Sequence, residues 1–110
     1  MGNSENERLL EIMTEFLTIY KLVNRKQISD VLYSELNTQQ LIEIYQLTDG
    51  TRSTRELATA LKNKCSHNSV SRAWHKWALS GIVVSVKQKG RYRAAFNLAE
   101  YGIVSEEDDE

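Results

Sequence analysis

The sequence contains no proline and a single cysteine. Without proline, nothing forces the helical patterns ahead of Gly50 to break. One cysteine excludes a disulfide within the chain and is typical of a reducing compartment. No apolar run approaches the roughly 20 residues that a membrane-spanning helix requires, and the first residues, MGNSENER, lack the layout of a secretory signal. We therefore expect a cytoplasmic protein with no membrane segment.

Charge is distributed unevenly along the 110 residues, a length typical of one domain. Residues 1–50 carry four basic and eight acidic side chains, a net of −4, whereas residues 51–104 carry ten basic and two acidic, a net of +8. The final stretch, SEEDDE, adds −5. A basic half of this kind is typical of a surface that binds a polyanion. The alternative is the lopsided charge that small domains often carry by chance.

Two helices are predicted within the first 36 residues. Apolar residues in 5–23 recur at steps of three and four, which predicts a long amphipathic helix with a wide apolar face. A shorter helix follows, with its apolar side formed by Ile28, Val31, Leu32 and Leu36. The wide face of the first helix needs more than one neighbour to cover it.

A third and a fourth helix are predicted from capping signals. The third begins near Asn37, with Gln40 as a capping partner, and ends at the sequence DG at 49–50. The fourth begins at STRE, where Ser53 and Glu56 have the spacing of a capping box. Its inward side is expected to hold Leu57, Ala58 and Leu61.

The segment 66–80, SHNSVSRAWHKWALS, predicts an amphipathic helix with aromatic residues on one side. At about 100° per residue, one narrow stripe contains Val70, Ala73, Trp74, Trp77 and Gly81. The opposite side contains Asn68, Arg72 and His75, flanked by Ser71 and Lys76. The tryptophans are therefore expected in the core. Leu79 lies on the outward side, where an apolar residue is a misfit unless the hairpin covers it.

After Gly81 the apolar pattern becomes typical of strands. IVVSV at 82–86 and RYRAAFNL at 91–98 predict a β-hairpin, joined by KQKG with Gly90 at positive φ. The acidic tail, 105–110, is predicted to be disordered.

The segments LIEIYQLTDGTRSTRELATAL, VSRAWHKWALSGIV and VKQKGRYRAAFNL together resemble a winged helix-turn-helix domain, from about Leu41 to Leu98. One difference is the turn KNKCSHNS, since Leu61 and Val70 lie nine residues apart where the family commonly has about seven. The predicted fold is mainly α with a small β-hairpin. Its parts are an N-terminal helical extension at 1–36, a winged helix-turn-helix domain at 37–104 and the acidic tail at 105–110.

The resemblance implies sequence-specific binding of double-stranded DNA, with the 66–80 helix in the major groove and the hairpin as a wing on the backbone. Guanidinium, imidazole and amide groups suit base edges, whereas lysine and serine suit phosphates. The predicted recognition-helix residues are Asn68, Ser69, Ser71, Arg72, His75 and Lys76. The predicted wing residues are Lys87, Lys89, Arg91 and Arg93. Arg52 and Arg55 are expected to hold a flanking phosphate.

The acidic N-terminal helix is repelled by phosphate, so a different role is expected for it. Arsenic-repressor-type and multiple-antibiotic-resistance-type regulators, which the domain resembles, dimerise through helices outside the winged core. This implies a homodimeric transcriptional regulator. The predicted dimerisation residues are Leu9, Ile12, Met13, Phe16, Leu17 and Tyr20. The alternative is that this helix packs on the core of its own domain.

Other classes of function have weaker support in the sequence. A zinc site would need Cys65, His67, His75 and a fourth ligand, at spacings unusual for zinc. A cysteine nucleophile lacks an orienting carboxylate and an oxyanion hole, so we expect no enzyme activity, no cofactor and a partly exposed Cys65. No pocket for an effector is evident. A winged-helix module that binds protein within a larger assembly is the main alternative.

Overall fold

Five α-helices and one two-stranded hairpin make up residues 2–103, the part of the chain that this computed structural model describes, with side chains described from residue 4. The helices are α1 (Gly2–Val23), α2 (Arg25–Glu35), α3 (Gln39–Gln46), α4 (Thr54–Ala60) and α5 (His67–Ser80). The strands are β1 (Val83–Ser85) and β2 (Tyr92–Ala94), followed by a 3₁₀ turn at Leu98–Tyr101. The predicted fold class, mainly α with a small hairpin, is confirmed. The acidic tail lies outside the described residues.

The chain forms two compact units, whose boundary falls inside α2 between Asp30 and Val31. The boundary at residue 36 given above stays a prediction. In the first unit, backbone hydrogen bonds continue across the turn at Asn24, whose N–H donates to the Tyr20 carbonyl and whose carbonyl accepts from Ile28. None of the helices within the described residues has the length and apolar character needed to span a bilayer.

Side-chain caps define where α3 and α4 begin. The hydroxyl of Thr38 accepts a hydrogen bond from the Leu41 N–H at 3.2 Å, so α3 starts later than the predicted Asn37. The predicted capping role of Gln40 is wrong, because its amide donates instead to the Lys64 carbonyl at 3.2 Å. The capping box of α4 is confirmed by two reciprocal hydrogen bonds of 3.0 and 3.1 Å between Ser53 and Glu56.

The core of the second unit is built around the two tryptophans of α5. Trp77 packs edge-on against Tyr45, with ring centroids 5.4 Å apart. The indole N–H of Trp74 donates to the hydroxyl of Thr48 at 3.0 Å, and that hydroxyl donates to the Ile44 carbonyl at 2.7 Å. The prediction that both tryptophans are core residues is confirmed. The largest buried side chains around them are Tyr45, Leu32, Ile44, Leu57 and Val70.

Tyr45 also joins α3 to both strand ends. Its hydroxyl donates to the Ile82 carbonyl at 2.7 Å and accepts from the Phe96 N–H at 3.2 Å. Burial raises the pKa of Tyr45 to about 12, so the phenol remains protonated and able to donate. This contact places the start of β1 and the chain just beyond β2 next to the same side chain.

The hairpin is antiparallel and shorter than predicted. Val83, Val84 and Ser85 pair with Ala94, Arg93 and Tyr92, respectively. On the other edge of β2, Asp49 forms an isolated bridge to Arg93, and the Ala94 N–H donates to the Thr48 carbonyl at 2.8 Å. The predicted strand 91–98 is wrong beyond Ala94, because the chain enters the 3₁₀ turn, which the Asn97 side chain caps at the Ala99 N–H.

Candidate nucleic-acid interface

α5 carries the polar side chains that were predicted to face outward. Ser66 caps the helix by accepting from the Ser69 N–H at 3.1 Å, and Gly81 ends it with a φ of 84°. This agrees with the predicted segment 66–80. Four predicted recognition residues are exposed, and two serines are partly exposed. The exposed residues are Asn68, Arg72, His75 and Lys76, and the serines are Ser69 and Ser71.

Two of these polar residues already have partners on the protein. A guanidinium nitrogen of Arg72 lies 3.4 Å from the Ser69 hydroxyl. The Lys76 ammonium lies 3.8 Å from a carboxylate oxygen of Glu35, whose other oxygen accepts from the Ser80 hydroxyl at 3.2 Å. Lys76 nevertheless keeps 72% of its side chain exposed and remains accessible to a phosphate. Sequence reasoning missed Glu35, because a carboxylate 41 positions before Lys76 gives no local signal.

Leu79 is the most exposed large apolar residue described, at 91%. The sequence placed it outward, and the hairpin does not cover it. Its exposure puts an apolar contact on the outer side of α5, near the end of the helix.

The turn between α4 and α5 reverses direction through two left-handed residues that are not glycine. Lys62 and Asn63 have φ values of 56° and 58°. The Asn63 N–H donates to the Ala58 carbonyl at 2.9 Å, which closes the C-terminal end of α4. Beside this turn lies a shallow cleft of about 380 Å³, whose lining includes Arg55, Lys64 and His67.

Cys65 is buried at the end of this turn, so the expectation of a partly exposed cysteine is wrong. Burial raises the pKa of the Cys65 thiol, and the nearby Glu43 charge acts in the same direction. Within residues 2–103, no group of three or more His, Cys, Asp and Glu side chains is arranged to hold a metal ion.

The four cations of the hairpin fall into two kinds. Lys87, Lys89 and Arg93 are exposed. Arg91 is only 23% exposed, and its guanidinium donates to the Thr51 carbonyl at 2.9 Å, to Gln88 at 3.0 Å and to the Glu56 carboxylate at 3.1 Å. Arg91 therefore ties the hairpin to the N-terminal end of α4.

Glu56 takes part both in the capping box of α4 and in the contact with Arg91. Hydrogen bonds from Ser53 lower the pKa of Glu56, and the charges of Arg91 and Arg52 lower it further. The Glu56 carboxylate therefore stays ionised at pH values lower than those at which a glutamate usually becomes protonated. Sequence reasoning found its capping role but missed its partner on the hairpin, 35 positions away.

The two arginines predicted beside α4 also differ in whether their charge is already paired on the protein. Arg52 donates to the Leu47 carbonyl and to the Asp49 carboxylate, both at 3.0 Å. Hydrogen bonds from the Thr51 side chain and backbone lower the pKa of Asp49, with a smaller contribution from the Arg52 charge. Arg55 is exposed and lines the cleft. Of these two arginines, only Arg55 presents its charge without a described ion pair within residues 2–103.

No family model, curated protein or solved structure matches this chain. The candidate interface consists of the outer side of α5, the exposed lysines of the hairpin turn and Arg55.

Proposed function

We propose that this chain is a winged helix-turn-helix protein that binds double-stranded DNA, with α5 in the major groove and the hairpin turn on the sugar-phosphate backbone. The observation that carries the proposal is the two-sided character of α5. Trp74 and Trp77 are buried, while Asn68, Arg72 and His75 are exposed. A helix held by its own core and presenting amide, guanidinium and imidazole groups suits the donor and acceptor pattern of base edges.

The order of elements supports the winged-helix assignment. α4, its capping box, the helix α5 with a buried aromatic side and a basic hairpin follow one another along the chain. The resemblance implies the same order. The bridge between Asp49 and Arg93 adds a third extended segment beside the hairpin.

The charge of this half supports a phosphate-binding role. Residues 51–104 hold ten basic and two acidic side chains, and Lys87, Lys89, Arg55 and Arg93 are exposed. Each cation that neutralises a phosphate releases a counterion, so binding should weaken steeply as salt rises.

The proposal includes a homodimeric transcriptional regulator in the cytoplasm. Two chains joined through their N-terminal helices bring two copies of α5 to one duplex. The expected DNA site is then roughly palindromic, with half-sites about one helical turn apart or a multiple of it.

The test is the anisotropy of a labelled random-sequence duplex, titrated with the full chain between about 50 and 200 mM salt. We expect micromolar binding that falls steeply with salt. A Lys87→Ala/Lys89→Ala variant should bind more weakly and with a shallower salt slope, because it has lost up to two phosphate contacts. An Arg8→Ala/Lys62→Ala variant is the matched control, since it removes the same charge from exposed positions outside α5, the hairpin and the basic end of the N-terminal unit. No binding at the lowest salt, or equal weakening in both variants, contradicts the proposal.

Sequence preference is expected to depend on α5. Arg72→Ala or His75→Ala should reduce the difference in affinity between a selected site and random DNA, by about 1–3 kcal/mol per lost base contact. Lys89→Ala should weaken binding to both duplexes alike. Competition titrations with the two duplexes measure this difference. Identical behaviour of the two classes of variant contradicts the separate roles of helix and wing.

The second candidate is a protein-binding module, and the exposure of Leu79 favours it. A leucine that is 91% exposed offers a partner protein one apolar contact on the outer side of α5. Leu79→Ser separates the two candidates. DNA binding through phosphates and base edges should survive this change, whereas capture of a protein partner through α5 should be lost.

A further inference from the structure

Ten large apolar side chains on α1 are between 51% and 75% exposed. They include all six predicted dimerisation residues. The ten are Leu9, Leu10, Ile12, Met13, Phe16, Leu17, Ile19, Tyr20, Leu22 and Val23. An apolar face of this size on one helix is a site for contact with another protein surface.

The spacing of five of these residues specifies the shape of the partner. Leu9, Ile12, Phe16, Ile19 and Val23 follow one another at steps of three, four, three and four. This alternation is the spacing of apolar residues in a coiled-coil seam, which packs best against another helix with the same repeat. We call these five residues the α1 seam.

Charge along the same stretch specifies the identity and direction of the partner. Residues 5–15 carry four glutamates and one arginine, a net of −3, whereas residues 21–26 carry two lysines and one arginine, a net of +3. Two copies of α1 placed in parallel bring like charges together at both ends. Two antiparallel copies bring each acidic end against a basic end, and this arrangement is the self-complementary contact of a two-fold dimer.

We infer that α1 is the surface through which two copies of this chain associate, with their α1 seams in contact and running antiparallel. The direction of the pair, and the role of the charged ends in setting it, go beyond the dimer included in the proposed function. The pairing does not depend on DNA.

The first experiment measures the molar mass of the full chain by light scattering, without DNA. The wild type should have about twice the 12.7 kDa of one chain. One variant, Glu11→Lys/Glu15→Lys, makes both ends of the segment 5–26 basic, and a second, Lys21→Glu/Lys26→Glu, makes both ends acidic. Each alone should dimerise at least about tenfold more weakly, since the attraction between oppositely charged ends becomes a repulsion.

An equimolar mixture of the two variants should recover the dimer mass. In that mixture each acidic end again meets a basic end. Recovery of the dimer also shows that both variants are folded. This is the expected result, because the side chains that were changed are mostly exposed. A monomeric wild type, which would result if α1 packed on its own chain, overturns the inference. Failure of the mixture to recover the dimer also overturns it.

The second experiment determines direction through disulfide formation, in a Cys65→Ala background that has no other cysteine. Leu9 and Val23, the two end residues of the α1 seam, are separated by 14 residues, about four helical turns, and so lie on one side of α1. Leu9→Cys and Val23→Cys chains should cross-link to each other when mixed and oxidised. Rapid cross-linking of each variant only with itself indicates a parallel pair and rejects the antiparallel arrangement.

These outcomes are distinguishable from those of the proposed function. A dimer that binds no DNA at low salt rejects DNA binding and leaves the α1 pairing intact. A monomer that binds DNA rejects the α1 pairing and leaves DNA binding intact.

Discussion

At the scale of single residues, the hairpin arginine Arg91 differs from its neighbours. It was predicted as a DNA contact together with Lys87, Lys89 and Arg93, and that role stays a prediction. Three hydrogen bonds to Thr51, Gln88 and Glu56 give it a structural role that residue type alone did not indicate. Sequence patterns identify exposed cations well, but they do not show which cation finds a carbonyl and a carboxylate within reach.

Arg91→Ala should lower the free energy of unfolding, whereas Lys89→Ala should not. Both changes remove one positive charge, but only Arg91→Ala removes bonds that hold the hairpin against α4. We expect a loss of about 1–2 kcal/mol for Arg91→Ala and a change within about 0.5 kcal/mol for Lys89→Ala. Urea denaturation measures both. Equal stabilities would show that the tie contributes nothing in solution.

The left-handed turn residue Lys62 gives a second prediction at this scale. A side chain with a Cβ at a φ of 56° is strained, and glycine is not. Lys62→Gly should therefore raise the free energy of unfolding by about 1 kcal/mol. Lys62→Ala is the matched control, because it removes the same charge and keeps the Cβ. A gain of the same size in Lys62→Ala would attribute the effect to charge and not to the backbone.

At the scale of the elements, α5 is held against α3 by one buried polar contact. The Trp74 indole, the Thr48 hydroxyl and the Ile44 carbonyl form a short hydrogen-bonded chain. Because Thr48 is only 2% exposed, water cannot replace a lost partner there. The packing that turns the polar side of α5 outward thus includes a bond to the buried Thr48 hydroxyl.

Thr48→Val should destabilise the protein by about 1–3 kcal/mol, since it leaves the buried Trp74 N–H unsatisfied. In a Trp74→Phe background that N–H is absent, and the same change should cost clearly less. A double-mutant cycle in urea measures the difference. An equal cost in both backgrounds would mean that the indole–hydroxyl bond makes no net contribution.

The same comparison of elements shows what local sequence specifies and what it does not. The face of α5 and the capping box of α4 follow from periodicity and caps within a few residues, and both were predicted. The start of α3, the end of β2 and the 3₁₀ turn were not. Gln40 is drawn to a carbonyl 24 positions away, and the Phe96 N–H is bound by Tyr45, 51 positions away. Partners at that distance leave no periodic signal.

The candidate site also contains features that the sequence predicts and contacts that it does not. The positions of Asn68, Arg72 and His75 on the outer side of α5 were predictable, because a helix with two buried tryptophans has only one remaining side. The bonds made by Arg91 and Lys76 were not, because each depends on how separate elements pack together. Those of Arg52 are local, to residues three and five positions before it.

At the scale of the whole molecule, the charge of the final six residues opposes that of residues 51–104. The tail, 105–110, lies outside the described residues, but its five carboxylates are part of the chain. Carboxylates tethered near a basic surface compete with phosphate for the same cations. The tail is therefore expected to weaken nonspecific DNA binding.

Deleting residues 105–110 should tighten binding to a random duplex at low salt and have less effect at high salt, where charge interactions are screened. Anisotropy titrations of the full and shortened chains at about 50 and 200 mM salt measure this. A chain with the same six tail residues in scrambled order is the control. It keeps the five carboxylates and should bind as the full chain does if charge alone matters. Equal affinities of the full and shortened chains at low salt would remove any competitive role for the tail.

The placement of both tryptophans has a spectroscopic consequence. Trp74 and Trp77 are 2% and 1% exposed and lie in the second unit, while residues 1–30 contain no tryptophan. Tryptophan fluorescence, excited selectively so that Tyr20 does not contribute, therefore reports only on the unfolding of the second unit. The far-ultraviolet circular dichroism of the helices reports on both units. Coincident curves would indicate one cooperative transition. A dichroism loss that precedes the fluorescence change would assign the earlier step to α1 and its pairing.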